Sequence, residues 1–356
     1  MNSDLAAGLE NLLVTCAGIE AGERVLVVAE DPALGWYDAQ APAAAAEFAE
    51  GLGASVTIAP VGAPSNSRDP GLGAAMESHD RVVFFARVGD QDRFAEPVPG
   101  RTHVMVYART AAALASPYGR ADHRAMAALK QAVNDILLDA PKLRVTCPLG
   151  TDIARDLDGP HREPREDVSV RRFPLGVPQP VDAAAFTGRV ALANYLTPTG
   201  SKVYDPPSLA LDEVAFAEIA QGRIESFSGD SATVGAIREH YDRTAAQLGI
   251  EPDFVHSWHA GIHPGCAYPG RAADDPDHWS NTVFTNPRFL HFHTCGAYAP
   301  GEICWMVADP TVTVGDVPLW ENGRLCPGNF AGTRGVLADW PELAALFAEP
   351  SDETGL

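Results

Sequence analysis

Two hydrophobic rhythms divide the chain. In the N-terminal half, short β-branched and apolar runs alternate with helix-forming stretches. Residues 24–30 (RVLVVAE) and 54–60 (ASVTIAP) read as strands, and the Ala-rich stretch 42–52 between them reads as a helix followed by glycine. Residues 81–88 (RVVFFARV), 103–107 (HVMVY) and 142–147 (KLRVTC) supply three more strands. Residues 121–138 carry Met126, Leu129, Val133 and Leu137 at the spacing of one helix face. Strands alternating with helices predict an α/β layer with a mostly parallel sheet.

The rhythm breaks over residues 156–182, a stretch rich in Pro and charge (DLDGPHREPREDVSVRRFPLGVPQPVD) and without a sustained period. It predicts a crossing between domains or a flap. Beyond it the pattern turns to β. Residues 188–196, 214–220, 254–260, 289–294 and 303–307 read as strands, and a hairpin is expected around Asn322-Gly323. One helix intervenes over residues 231–248, with Asp230 placed to cap it. The expected architecture is an α/β N-terminal domain over residues 1–180 and a β-rich (α+β) C-terminal domain over residues 181–356. At 356 residues, two domains are also what the length suggests.

Composition narrows the partners. A formal net charge of −21 argues against nucleic acid or an anionic membrane, both of which repel an acidic surface. The N-terminal stretch MNSDLAAGLENLLV lacks the basic start and apolar core of a signal peptide, and no uninterrupted apolar run is long enough to span a bilayer. The six cysteines form no CxxC pair, which predicts reduced thiols and a cytoplasmic protein. No GxGxxG follows the first strand, no GxxxxGK[ST] occurs, and no GxSxG elbow is present, so phosphate binding and serine hydrolysis have no support. The acid pairs Asp212-Glu213 and Asp274-Asp275 have the character of solvated loops.

Histidine is distributed differently. Six of the eleven lie between His256 and His293: His256, His259, His263, His278, His291 and His293. Side chains two apart on a strand share a face, so His291 and His293 point the same way, as do Glu302 and Cys304. His259 and His263 share a face if their strand stays extended. Adjacent imidazoles on one sheet face repel when protonated and are costly to bury unpaired, and a divalent cation resolves both problems. This makes the C-terminal domain a metal-binding one. Two or three imidazoles with one carboxylate suit non-heme Fe(II), and the same donors hold catalytic Zn(II) with a water. Cys304 reads as a buried structural residue, and Trp258, Trp279, Trp305 and Tyr298 are candidates to wall a pocket.

Several motifs carry a resemblance. A loop GSKVYDPP (residues 200–207) precedes GRIESFSGD (222–230) and a helix, and a His-bearing strand then ends in Gly-x-x-Pro (261–264). After it comes a ligand strand that runs into PTVTVGD (310–316). In this order the C-terminal half, residues 188–316, resembles the 2,5-dihydroxypyridine dioxygenase family. More distantly it is similar to the thermophilic metallo-aminopeptidases of the aminopeptidase T type. The resemblance implies a metal-dependent enzyme on a small cyclic or aromatic substrate, assembled as a homo-oligomer. It implies a metal-binding His on the first strand, here His259 with His256 as its rival. Where the dioxygenases have His-x-Asp, this chain reads Glu302-Ile303-Cys304. The neighbouring strand carries His291 and His293, where the aminopeptidases supply a histidine. The ligand set so implied is His259, His293 and Glu302, with His291 or His263 as a histidine that moves a proton. Fe(II) and ring cleavage with O₂ are the expected cofactor and reaction; the alternatives are a Zn(II)-dependent aminopeptidase- or amidase-like hydrolase and a metal-free binding protein.

Overall fold

The computed structural model describes residues 2–67, 69–164 and 168–356. In chain order the first strands are β1 (Arg24–Glu30), β2 (Ser55–Val61), β3 (Arg81–Phe85), β4 (Thr102–Val106), β5 (Lys142–Thr146), β6 (Asp152–Asp156), β7 (Arg171–Phe173) and β8 (Val181–Asp182). There follow β9 (Thr187–Leu192), β10 (Tyr195–Pro198), β11 (Leu209–Ala210), β12 (Ala215–Ala220), β13 (Arg223–Ser228) and β14 (Val255–Ala260). The last are β15 (Phe289–Thr294), β16 (Ile303–Ala308), β17 (Thr311–Val314), β18 (Val317–Glu321) and β19 (Arg324–Leu325).

The chain divides into two compact units. One is made of Met1–Ala127, Asp167–Gly176 and Ala345–Pro350; the other is made of Ala128–Glu166, Val177–Ala344 and Ser351–Leu356. The first unit holds a five-stranded sheet in the order β2-β1-β3-β4-β7, parallel throughout. Val25–Val28 and Val82–Phe85 are fully buried, as expected where helices cover both faces of a parallel sheet. The second unit holds two antiparallel sheets. A six-stranded sheet runs β11-β10-β16-β15-β14-β8, and an eight-stranded sheet runs β13-β12-β9-β6-β5-β17-β18-β19.

The alternation of strands and helices expected for the N-terminal half is present, with one correction. β5, grouped by sequence with the parallel layer, lies in the eight-stranded antiparallel sheet between β6 and β17. The reason is visible in its side chains. Leu143 and Val145 are buried while Lys142 and Arg144 are exposed, the period-two pattern of a strand with one solvated face. β3 also ends sooner than expected, at Phe85, and Val88–Asp92 is a short helix.

The segment 156–182, expected to cross between domains or form a flap, includes residues 165–167, which lie outside the described residues. The described remainder contributes β7 to the parallel sheet and β8 to the six-stranded one. Within it Glu163, itself buried, forms an ion pair with buried Arg155 of β6.

Turn and cap chemistry behaves as the residues dictate. Asp230 accepts hydrogen bonds from Ala232 N at 2.9 Å and Thr233 N at 3.1 Å, capping the helix Ser231–Leu248. Asn322 and Gly323 both have positive φ, 48° and 75°, the conformation that a two-residue hairpin requires of its central residues. Among the described residues no helix is long and apolar enough to cross a membrane.

Two outcomes follow from the capped helix. Asp230→Ala removes the acceptor for two backbone N–H groups and lowers unfolding stability by about 1 kcal/mol, read by chemical denaturation. The second concerns His240, which is fully buried on the inner side of the same helix and accepts from Arg243 at Nδ1. Burial, with Arg243 adding to it, holds its pKa down to about 4 against an ordinary 6.5. The unfolded chain therefore binds this proton first, so stability falls as pH drops through 6.5 and the loss levels off below about 4. The full swing is roughly 3 kcal/mol. His240→Gln keeps an acceptor for Arg243 but does not titrate, and its stability curve is correspondingly flatter over that window.

Candidate metal centre

The site is built on the pairing of β14 with β15. At the start of β14 the register runs Val255 opposite Thr294 and then Ser257 opposite His293, so one residue, His256, is extra. This bulge resets the alternation. From there Ser257 and His259 share a face, opposite His293 and His291 respectively. β16 pairs on the far side of β15, with Met306 opposite His291 and Cys304 opposite His293.

The two faces of this sheet differ in chemistry. One carries Trp258, Phe292 and Trp305, whose rings follow one another at centroid separations of 6.5 and 5.9 Å. Trp305 Nε1 donates to the Tyr241 hydroxyl at 2.7 Å, which fixes the helix Ser231–Leu248 to that face. The other face carries the histidines. His259 and His291 have ring centroids 4.0 Å apart, and His293 lies 4.9 Å from each. All three are buried, with 3–7% of their surface exposed. One potential ligand atom from each lies within 4.8 Å of the others, and among the described residues this is the group of three or more His, Cys, Asp or Glu that the fold assembles in such a way.

The surroundings are apolar. Phe284 meets the His291 ring edge-on at 5.7 Å. Cys304 and Met306 join Phe289, Trp279, Val283, Tyr268 and Ala272 in a buried cluster. Burial pushes the Cys304 thiol well above the ordinary range, so it packs as a small hydrophobe. Of the four aromatics proposed as pocket walls, Trp258 and Trp305 lie on the opposite face, because the alternation of β14 and β16 turns them away. Trp279 packs on Phe289, at 5.5 Å, within the cluster beside the histidines.

The other candidates are placed differently. Glu302 is fully buried just before β16, and its carboxylate lies outside the three-histidine group. One oxygen, Oε1, accepts from Ser201 Oγ at 2.8 Å and from the Tyr298 hydroxyl, while Tyr204 donates to its backbone carbonyl at 3.0 Å. Burial first, then the bond to Glu302, pushes the Tyr298 phenol above its ordinary range, so it remains a donor.

β14 ends at Ala260, so His263 is not carried onto the histidine face by alternation. Gly261 packs so tightly on the backbone of Asn286 that a Cβ there would lie 2.2 Å from its carbonyl oxygen, and the chain turns. The His263 ring accepts at Nδ1 from Gly265 N at 3.2 Å; a backbone N–H only donates, so its proton sits on Nε2. His256, half-buried, has Nδ1 3.0 Å from Ser257 Oγ, and burial lowers its pKa against the opposing charge of Asp182. His278 lies in the helix Pro276–Val283 with its ring 5.7 Å from Tyr268, outside the three-histidine group.

Sequence reasoning missed Ser257, Ser201, Tyr204 and Phe284. Ser257 had a local signal, two residues before His259 on the same strand, and Ser201 and Tyr204 lie in the loop GSKVYDPP.

No family model matches the chain, and no curated relative does. Among the solved structures that are similar, two cover nearly the whole chain. A 2,5-dihydroxypyridine dioxygenase from Pseudomonas putida KT2440 superposes with a TM-score of 0.59 at 14% identity, covering 94% of this chain and 100% of that one. Wild-type AmpT from Thermus thermophilus superposes with a TM-score of 0.51 at 13% identity, covering 90% of this chain and 98% of that one. Over nearly its whole length, the chain has the fold of the 2,5-dihydroxypyridine dioxygenase and of AmpT.

Proposed function

We propose that the chain is a metal-dependent enzyme acting on a small cyclic or aromatic molecule, with its metal held by His259, His291 and His293. The observation that carries this reading is the three buried imidazoles on one sheet face, 4.0–4.9 Å between ring centroids. Three bases this close and this dry suit a divalent cation, since imidazole is a good ligand for Fe, Zn, Cu and Ni alike. The reading modifies the ligand set His259, His293 and Glu302 by bringing in His291, and it leaves Glu302, whose Oε1 accepts from Ser201 and Tyr298, beside the three imidazoles.

The first reaction we propose is Fe(II)-dependent, dioxygenase-like ring cleavage. It is supported by the full-length likeness to a dioxygenase and by the apolar, aromatic neighbourhood of the histidines. Fe(II), held by His259, His291 and His293, would supply the Lewis acidity and redox chemistry that such a cleavage needs. The protein's own part is to orient and to exclude water. Phe284, part-exposed and edge-on to His291, offers a surface against which a flat ring packs, with the buried cluster of Met306 and Trp279 behind the histidines. His263, with its proton on Nε2, is placed in the scheme as a donor to a developing negative charge; the one hydroxyl proton of Tyr298 goes to Glu302, so its oxygen is left to accept. The second reading, a Zn(II)-dependent hydrolase, draws on the donor set itself, since three imidazoles and one water make a catalytic zinc site. Cytoplasmic location and a symmetric homo-oligomer complete the proposal.

Three measurements test it. Protein purified without added metal should carry about one transition-metal ion per chain by elemental analysis, as three ligands for one ion require. Alanine at His259, His291 or His293 should abolish retention, whereas Glu302→Gln should keep the ion. Loss of metal in Glu302→Gln with full retention in His291→Ala would restore the carboxylate to the ligand set and remove His291 from it. With Fe(II) loaded, dihydroxylated pyridines and benzenes should cause oxygen uptake; amide hydrolysis by the Zn(II) form without any oxygen uptake by the Fe(II) form would favour the second reading. Light scattering at micromolar concentration should show an oligomer, and a monomer would refute the proposed assembly.

A further inference from the structure

Ser257 lies between two imidazoles. Its Oγ is 3.1 Å from Nδ1 of His293 and 3.0 Å from Nδ1 of His256, and the residue is buried. The bulge at His256 creates this arrangement. Without the extra residue, alternation would place Ser257 on the aromatic face with Trp258's neighbours; with it, Ser257 stands directly opposite His293.

A neutral imidazole carries one N–H, and the nitrogen that binds a cation must be the other one. For His293 to offer a lone pair at Nε2, its proton must reside on Nδ1 and needs an acceptor. Ser257 Oγ is at hydrogen-bond distance from that nitrogen. A hydroxyl accepts better when its own proton is engaged, and His256 Nδ1 lies on the other side to receive it. The polarity then runs one way: His293 Nδ1–H donates to Ser257, and Ser257 O–H donates to His256. His256, half-buried, then carries its own proton on Nε2.

We infer that Ser257 is a positioning residue for His293, fixing its Nδ1–H tautomer and making Nε2 the ligand atom, with His256 as the second link. The inference rests on the proposed metal site, and it extends that site to two residues that touch no cation. Outer partners of metal-bound histidines orient the ring and raise its basicity, and their loss costs about 10- to 100-fold in metal affinity.

The test combines nitrogen NMR of the histidine rings with cobalt titration of the full-length chain. In the wild type, His293 should carry its proton on Nδ1 in both the metal-free and the cobalt- or zinc-loaded protein. Ser257→Ala should weaken cobalt binding about 10- to 100-fold and shift its visible absorption, while Ser257→Thr, which keeps the hydroxyl, should stay within a few-fold of wild type. His256→Gln, which retains a hydrogen-bonding group, should have the smaller effect. An unchanged cobalt affinity and spectrum in Ser257→Ala would overturn the inference, as would a wild-type His293 protonated on Nε2. If the wild type binds no metal at all, the proposed metal site fails, and the His293 tautomer in Ser257→Ala still decides the positioning role. Should Ser257→Ala not fold, the wild-type tautomer and the Ser257→Thr titration remain decisive.

Discussion

Everything at the candidate site depends on one strand pairing, that of β14 with β15, offset by a single extra residue. Antiparallel strands put opposed side chains close together, and alternation sends successive residues to opposite faces. With the bulge at His256, the pairing gathers His259, His291 and His293 on one face and Trp258, Phe292 and Trp305 on the other. A slip of one residue in β14 would exchange its two sets and place His259 among the indoles. The aromatic face therefore guards the register of the histidine face. Sliding the strand would trade tight aromatic packing for buried, mispaired polar rings.

The same sheet explains why imidazoles can sit so densely in a buried place. Every residue of β15 is buried, so the histidines gain little from water and must be stabilised by one another, by neighbours such as Ser257, or by a cation. The environment also silences other chemistry. Burial pushes the Cys304 and Cys295 thiols up, the latter to about 12, and Tyr204 and Tyr241 are likewise held protonated. The groups left to act are imidazoles, a buried carboxylate held by Ser201 and Tyr298, and aromatic surfaces. The formal charge of −21 sets the chain apart from proteins that bind nucleic acid or other polyanions.

Much of this was legible in the residues alone. Local patterns located β1, β14, β15 and the helix Ser231–Leu248 to within a residue or two, because apolar period, cap and turn are properties of short windows. The clustering of histidines marked the site, and the His-x-His of β15 fixed that two of them share a face. The order of motifs pointed to the fold later found in the superpositions. The assignment of β5 to its sheet failed, although its Lys-Leu-Arg-Val alternation already indicated a half-solvated strand.

What the sequence determined by itself is therefore the elements, their faces and the identity of the chemical groups. Tertiary structure decided which groups meet. That His291 joins His259 and His293, that Glu302 turns to Ser201 and Tyr298, and that Ser257 bridges two rings all follow from cross-strand register and loop closure. Those are relations between residues dozens of positions apart. They are set by which packing of the whole core buries the most apolar surface with every polar group paired, and no local window of sequence contains that comparison.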